Sequence, residues 1–276
     1  MTTTDATDND EYVLATGESG AKALALQQQY LFAASENQLQ KAGLKSGMTV
    51  CDIGCGSGEM TEYLAKKVGD NGCVFAIDVS AEQLEFTKNR INQLGLKNVK
   101  TIQADIRNIE GLEHIKADIV YSRLVLMHIS DPQKALLNMY AILKPGGILS
   151  LQETTWSTIS CSIPCPELLK YRDAVIALGK SYGGDFNFGQ KMPSVLDELG
   201  FKIIEQQTVT ANRSIMFGKQ LLASRPEVRE KIINSKIATH EQIEEWFLKI
   251  NALPEDDPNA YFNVADMTHV LVKKCI

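Results

Sequence analysis

The segment Thr49–Met60 reads Thr-Val-Cys-Asp-Ile-Gly-Cys-Gly-Ser-Gly-Glu-Met and carries the strongest structural signal in the chain. Its first half, Val50–Ile53, is a short apolar run typical of a buried parallel strand. Glycine then stands at three alternate positions, and a helical spacing of apolar residues begins at Met60. Glycine has no side chain, so a ligand can lie against the bare backbone of such a turn. The segment therefore predicts a strand, a glycine turn and a helix that together form a nucleotide-type pocket.

The spacing of these glycines separates two kinds of nucleotide site. Dinucleotide-binding folds use Gly-x-Gly-x-x-Gly, in which the last glycine lets the helix pack against the strand beside a pyrophosphate. Here the third glycine, Gly58, comes one residue early, and Glu59 stands where that pattern has glycine. A carboxylate at this position would repel a pyrophosphate. The spacing therefore disfavours an NAD-dependent oxidoreductase, which is kept as the first alternative.

Residues 52–58, Asp-Ile-Gly-Cys-Gly-Ser-Gly, resemble motif I of the class I S-adenosylmethionine-dependent methyltransferases. Residues 12–18 resemble an N-terminal signature of one branch of small-molecule methyltransferases, and we interpret the chain as similar to the UbiE-like enzymes. The cofactor of that family has no phosphate and carries a positive sulfonium, so a carboxylate at Asp52 is compatible with it. A tight turn without a ligand is the alternative interpretation. The Lys-Pro-Gly-Gly turn at 144–147 matches a second signature of the family and precedes a predicted strand over 148–152.

Acidic residues follow two further predicted strands. Asp78 ends the apolar run that begins at Cys73, and Asp105 follows a predicted strand over 98–104. The carboxyl ends of parallel strands share one edge of an α/β sheet, where ligands bind. The two oxygens of Asp78 can accept hydrogen bonds from both hydroxyls of a ribose. A helix is predicted after it, with Ser80 as the N-cap. The family resemblance implies that Asp105 accepts a hydrogen bond from the adenine amino group.

The resemblance also implies the wider cofactor site. The turn at Arg123 would supply a backbone carbonyl to the methionine amino group of the cofactor, and Val79 and Gln83 would lie against adenine and ribose. The predicted S-adenosylmethionine-binding residues are Asp52, Gly54, Cys55, Gly56, Asp78, Val79, Gln83, Asp105, Ile106 and Arg123. Tyr12, Gln28 and Tyr30, on a predicted helix over 12–43, are either contacts to the cofactor or packing residues of that helix.

The methyl acceptor and any catalytic base are less defined by the sequence. His128 follows the predicted strand over 117–122 on the cofactor side and is the candidate general base, with a structural histidine at a helix end as the alternative. Aromatic side chains in the second half of the chain either line an acceptor pocket or pack in the core: Trp156, Tyr171, Tyr182, Phe186 and Phe188.

Composition excludes several classes of protein. The formal net charge of -6 disfavours nucleic-acid binding, because such proteins usually present a basic face. The Asn/Asp-Pro-Pro-Tyr/Phe signature of amino-methylating nucleic-acid enzymes is also missing after the predicted fourth strand. No apolar stretch reaches the roughly 18 to 20 residues of a membrane span, and residues 1–11 lack a secretion signal. Six cysteines without a Cys-x-x-Cys pair favour reduced cytoplasmic thiols over a metal site, so no metal is expected.

The sequence thus predicts an α/β fold, a Rossmann-like doubly wound sheet of seven mostly parallel strands. The last two strands would pair antiparallel, and a helical cap would cover the substrate. Residues 1–45 would form a tail and cofactor-covering helices, and residues 46–276 the methyltransferase domain, with cap insertions at about 153–190 and 215–257. The expected reaction is methyl transfer from S-adenosylmethionine, which becomes S-adenosylhomocysteine, to an O, N, S or C atom of a small molecule. A non-catalytic module of this fold is the second alternative.

Overall fold

The computed structural model describes residues 17–275, with side chains from Ala23 onward. The predicted tail and Tyr12 lie outside this part. The strands within it are β1 (Thr49–Ile53), β2 (Cys73–Asp78), β3 (Val99–Gln103), β4 (Ala117–Arg123), β5 (Leu143–Thr155), β6 (Ser160–Cys161), β7 (Lys202–Val209), β8 (Asn212–Arg213), β9 (Phe262–Asn263) and β10 (Asp266–Lys273). The α-helices are α1 (Gly17–Lys41), α2 (Glu59–Val68), α3 (Ala81–Gln93), α4 (Pro132–Ala141), α5 (Pro166–Ser181), α6 (Phe188–Glu198), α7 (Ile215–Ala223), α8 (Pro226–Asn234) and α9 (His240–Asn251).

The main sheet has seven strands in the order β3-β2-β1-β4-β5-β10-β7. Strands β1 to β5 pair in parallel, whereas β10 is antiparallel to both β5 and β7. The strand order reverses between β1 and β4, which is where open α/β sheets bind ligands. The predicted fold class is confirmed, including the antiparallel pairing of the last two long strands.

The Lys-Pro-Gly-Gly segment is not a separate turn before β5, as the sequence suggested. Helix α4 ends at Ala141, and β5 already begins at Leu143 and continues through the segment. The pairing of β4 with β5 shifts at this point, because Ala117 pairs with Leu143 while Ile119 pairs with Ile148. Between these two pairs β5 contains more residues than β4. These additional residues form a bulge that bends β5 without ending it.

Buried polar side chains fix α1 against the sheet. The Ser35 hydroxyl donates to Gln152 Oε1 at 2.7 Å, and the Tyr121 hydroxyl donates to the same oxygen at 2.9 Å. Gln38 Nε2 donates to the carbonyl oxygens of Leu151 on β5 and Val270 on β10, at 3.0 and 3.1 Å. Such groups stabilise a buried contact only when they are paired, so they set the position of α1 along the sheet.

Helices outside the sheet cover its carboxyl edge. Helix α5 packs against α8 and α9, and α7 packs against β9 and α1. The short strands β6, β9 and β8 form a second sheet in that order. The predicted cap segments contain α5, α7, α8 and α9, and their role as a cap stays a prediction. No helix among residues 17–275 combines the length and apolar character that crossing a membrane requires.

Candidate active site

One cavity of about 260 Å³ opens at the carboxyl ends of β1, β2 and β4. Its wall at the sheet edge comes from the glycine turn after β1, the end of β2 and the segment after β3. Its far wall comes from α1, α5, α7, α8 and β9. The predicted cofactor-binding residues and the candidate base all line this cavity: Asp52, Gly54, Cys55, Gly56, Asp78, Val79, Gln83, Asp105, Ile106, Arg123 and His128. The structure therefore brings the whole predicted set together.

The glycine turn folds tightly over the end of β2. The backbone N–H groups of Gly54 and Cys55 both donate to the carbonyl oxygen of Ile77, at 2.8 and 3.2 Å. Gly54, Gly56 and Gly58 have φ angles of +68°, +55° and +83°. These angles favour glycine, since other residues are strained there. The alternating glycines thus shape the turn, which leaves its backbone facing the cavity.

Helix α3 holds the glycine turn from the other side. The Thr87 hydroxyl donates to the carbonyl oxygen of Gly56 at 2.7 Å, and Arg90 Nε donates to that of Ser57 at 2.9 Å. Arg90 also forms an ion pair with Glu59 at 2.7 Å. Glu59 therefore stays at the N-terminus of α2, in the cavity wall, where a dinucleotide-binding fold would hold a pyrophosphate.

Asp78 links the turn to the start of α3. Its Oδ2 atom accepts a hydrogen bond from the Gly56 N–H at 2.9 Å, and its Oδ1 atom accepts one from the Ser80 N–H at 2.9 Å. A carboxylate oxygen has two lone pairs, so each oxygen keeps an acceptor site for a ligand. Burial raises the pKa of Asp78, while these backbone donors act in the opposite direction. The carboxylate is thus held in place with acceptor capacity left for two hydroxyl groups.

The side-chain amide of Gln83 also lines the sheet-edge half of the cavity, and it has no hydrogen-bond partner among the described residues. The residue is 5% exposed and lines the cavity. Within residues 17–275, neither its Nε2 nor its Oε1 atom has a hydrogen-bond partner. A buried amide without partners costs roughly 1–3 kcal/mol, which a polar ligand in the cavity would recover. Val79, by contrast, is 63% exposed, so it presents an apolar surface at the cavity rim.

Asp105 already has a strong partner, which the sequence reasoning missed. Arg107 Nη2 donates to Oδ2 at 2.6 Å, and Arg107 Nε lies 3.0 and 3.1 Å from the two oxygens. Partial burial raises the pKa of Asp105, but the hydrogen bonds and charge of Arg107 outweigh it and lower the pKa overall. Most of the acceptor capacity of this carboxylate is used, so its assignment to adenine stays a prediction. The position of Arg107 two residues after Asp105 is the feature of the sequence from which this ion pair could have been predicted.

Asp52 lies deeper than Asp78, in β1. Its Oδ2 atom accepts a hydrogen bond from the Thr61 hydroxyl on α2 at 2.6 Å, and the residue is 2% exposed. Burial raises its pKa to about 6, against the effects of Thr61 and Arg123. The group is therefore mostly ionised at neutral pH, and it places negative charge in the wall of the cavity.

The side chain of Arg123 holds α1 in place, in addition to the contact predicted between the Arg123 carbonyl and the cofactor. Its Nη2 atom donates to Gln28 Oε1 at 2.6 Å, and its Nη1 atom donates to the Ser35 hydroxyl at 3.2 Å. The guanidinium thereby fastens α1 across the end of β4. This contact places Tyr30 of α1 in the cavity wall. Gln28, another sequence candidate, is used to hold Arg123 and does not itself line the cavity.

The far half of the cavity is largely apolar. Among the aromatic candidates, Trp156 and Tyr171 line it, whereas Tyr182, Phe186 and Phe188 do not. Phe186 and Phe188 are buried in the core, at 1% and 3% exposure. The sequence reasoning missed several wall residues, which lie in the second half of the chain: Leu221, Leu222, Arg225, Val228 and Phe262.

His128 ends a short 3₁₀ turn after β4 and lines the cavity. Its ring makes an edge contact with the Phe186 ring at a centroid distance of 5.2 Å. Burial, reinforced by the positive charge of Arg225, lowers the pKa of His128 to about 3. The imidazole is therefore neutral at physiological pH. Within the described residues, no group of three or more His, Cys, Asp or Glu side chains is arranged to hold a metal ion.

Comparisons with known proteins agree with this geometry. Residues 44–172 match a family model described as a methyltransferase domain. Over these residues the sheet order, the glycine turn and this match agree with a class I S-adenosylmethionine-dependent methyltransferase domain, so the predicted resemblance is confirmed for this part of the chain. Within that class the domain is similar to the ubiquinone/menaquinone biosynthesis C-methyltransferase UbiE of Enterobacter sp. (strain 638), at 31% identity over 113 residues. That match covers 41% of this chain and 45% of the relative, less than half of each.

Two solved structures extend the comparison. A SAM-dependent methyltransferase from Aquifex aeolicus is 25% identical with a TM-score of 0.51, and the match covers 69% of this chain and 92% of that one. The [4+2]-cyclase SpnF is 17% identical with a TM-score of 0.60, and the match covers 90% of this chain and 83% of that one. The second likeness shows the fold alone. A protein described as a cyclase shares this fold, so the activity has to be argued from the site.

Proposed function

We propose that the protein transfers a methyl group from S-adenosylmethionine to a small molecule. The observation that carries the proposal is one continuous cavity with two chemically different halves. The sheet-edge half presents the glycine turn, Asp78 and the amide of Gln83, which has no hydrogen-bond partner among the described residues. The far half presents an apolar wall with Trp156 and Tyr171. A polar cofactor and a less polar acceptor would thus meet end to end.

The residues of the sheet-edge half fit the cofactor. Asp78 retains acceptor sites for the two ribose hydroxyls, and Gln83 has amide groups that need partners. Asp52 contributes negative charge toward a positively charged ligand. When bound, the cofactor supplies a methyl group on a cationic sulfur, which a nucleophile can displace. The site lacks the features of an NAD pocket, because Glu59 is held by Arg90 where a pyrophosphate would lie.

The contribution of the chain to the reaction is alignment and the exclusion of water. Holding two reacting atoms about 3 Å apart in the correct direction removes several kcal/mol from a barrier. Helices α5, α7 and α8 cover the far half, so the acceptor is enclosed there. Enclosure favours a step in which charge is neutralised, since water stabilises the charged starting state. We assign the reaction to small molecules in the cytoplasm, and the net charge of -6 argues against nucleic acids as acceptors.

Calorimetric titration of the purified protein with S-adenosylhomocysteine, with NADH in parallel, tests the proposal. We expect micromolar binding of S-adenosylhomocysteine and none of NADH. Binding of NADH alone would show that the glycine spacing has been misinterpreted and would favour the oxidoreductase. Binding of neither ligand by folded protein would favour a non-catalytic module of this fold.

The protonation of His128 leads to a separate prediction. Its folded-state pKa of about 3 lies below the ordinary 6.5, so the imidazole stays neutral from about pH 5 upward. The stability linked to this neutral form is present above pH 6.5 and is lost as the pH falls toward 3. A neutral imidazole can hold the acceptor by a hydrogen bond, but it is a weak base toward hydroxyl groups.

Nitrogen-15 NMR of the imidazoles measures this directly. The chain has four histidines, and the His128→Gln variant identifies the resonance of His128 by its absence. We expect that resonance to stay constant between about pH 5 and 8 in the folded protein, and to titrate normally in urea. A midpoint close to the ordinary value in the folded protein would contradict the burial argument and would restore His128 as an effective general base.

A further inference from the structure

Arg225 is a buried cation in the wall of the far half of the cavity. The residue precedes α8, is 8% exposed and lines the cavity wall. Within the described residues, its guanidinium makes no hydrogen bond or ion pair. The other two arginines of the cavity differ, because Arg107 pairs with Asp105 and Arg123 is held by Gln28 and Ser35.

A buried guanidinium is costly unless an anion or several acceptors compensate it. The loss of hydration destabilises such an ion, and attraction to an opposite charge offsets this cost only at short distance. The carboxylates that line the cavity lie at the sheet-edge half, on Asp52, Glu59, Asp78 and Asp105. The described residues that line the far half therefore include this positive charge but no carboxylate.

The surroundings of Arg225 are suited to one small anion with an apolar body. Tyr30 and Tyr171 line the same region of the cavity, and their phenol groups can donate hydrogen bonds. The charge of Arg225 reaches both of them: burial raises the pKa of Tyr171 to about 12, and Arg225 acts in the opposite direction on Tyr171 and Tyr30. Leu221, Leu222 and Val228 supply apolar wall between these polar groups. A single guanidinium matches a single carboxylate in charge and in its planar, two-pronged geometry.

We infer that the methyl acceptor is an apolar or aromatic carboxylic acid whose carboxylate is bound by Arg225. This inference rests on the proposed methyl transfer and adds the chemical class of the acceptor. Binding of the carboxylate at Arg225 would direct the rest of the molecule along the apolar wall toward the sheet-edge half, where the cofactor residues lie. The carboxylates of Asp52 and Asp78 would thus lie at the cofactor, and the guanidinium of Arg225 would lie at the acceptor.

Matched probes test this inference. Benzoate and its neutral isostere benzamide are titrated by calorimetry into protein saturated with S-adenosylhomocysteine. A hydrogen bond to a charged group is stronger than one between neutral groups, so we expect benzoate to bind at least about tenfold more tightly than benzamide, a difference of about 1.4 kcal/mol. Arg225→Gln is expected to abolish this preference, and Arg225→Lys to retain part of it. Arg213→Gln is the control, because Arg213 donates to the carbonyl oxygens of Asn212 and Tyr30 and does not line the cavity.

A second measurement needs no acceptor. Arg225→Met replaces an unpaired buried charge by an apolar side chain of similar length, so we expect the melting temperature of the ligand-free protein to rise. A fall of several degrees would show that Arg225 has a structural partner and would overturn the inference. Equal binding of the two probes, absence of benzoate binding, or a preference that survives Arg225→Gln would also overturn it. Failure of S-adenosylhomocysteine to bind would instead contradict the proposed function, so the two failures are distinguishable.

Discussion

Asp78→Ala is expected to weaken the binding of S-adenosylhomocysteine by on the order of tenfold or more. The wild-type carboxylate accepts the N–H groups of Gly56 and Ser80 and retains acceptor sites toward the cavity. The variant would lose the proposed contacts to both ribose hydroxyls, and it would also leave the Gly56 and Ser80 N–H groups without this partner. Calorimetric titration measures the affinity, and circular dichroism checks that the variant is folded.

Two further variants make this result specific. Asp70→Ala removes a carboxylate from an exposed turn away from the cavity, so its affinity should equal that of the wild type. Asp78→Asn keeps one acceptor oxygen but turns an NH₂ group toward one of the two backbone donors. We therefore expect it to lie between the wild type and Asp78→Ala. If folded Asp78→Ala binds as tightly as the wild type, the assignment of Asp78 to the ribose is wrong.

Gly54→Ala is expected to lower the free energy of unfolding by about 2–5 kcal/mol and to abolish cofactor binding. The backbone φ at Gly54 is +68°, where alanine is strained. An added Cβ would also lie 2.3 Å from Val125 Cγ2. The side chain of valine has few rotamers, and the Val125 N–H donates to Glu153 Oε1 at an N-to-O distance of 2.9 Å. Val125 therefore cannot easily move away from the added Cβ. Urea denaturation measures the loss.

Gly95→Ala separates the two causes of this loss. Gly95 has a similar φ of +65°, but an added Cβ would meet no atom within 4 Å. We therefore expect only the backbone cost, about 1–2 kcal/mol, and unchanged cofactor affinity. Equal stability losses in the two variants would show that the contact with Val125 is relieved by a small movement, and that the glycine turn is less constrained than the distances indicate.

The position of the cofactor site could be predicted from the sequence because it depends on local patterns. An apolar run followed by alternating glycines specifies a strand and a turn, and parallel strands bring their carboxyl ends to one edge. Asp52, Asp78 and Asp105 therefore reach the same cavity although about 25 residues separate each from the next. The residues that would bind the cofactor in this way line the predicted edge, and Gln83 follows from its place in the helix after Asp78.

The tertiary structure decided which side chains pair with the site carboxylates and which aromatic side chains line the cavity. The sequence indicated a carboxylate at Asp105, but the pairing with Arg107 follows from how the segment after β3 folds. It also suggested five aromatic residues for the acceptor pocket, of which only Trp156 and Tyr171 line it. Periodicity shows that a side chain is buried, but it does not show whether the side chain faces the core or a cavity.

Arg225 shows most clearly which part of the site could not be predicted from the sequence. The sequence by itself determined the fold class, the glycine turn and the edge of the sheet where ligands bind, because each follows from residues close together in the chain. Only the tertiary structure decided that Arg225, far from those residues in sequence, lies buried in the wall of the same cavity, in a half that no described carboxylate lines. The charge balance of a cavity is a sum over segments that meet only after folding, so no local pattern contains it.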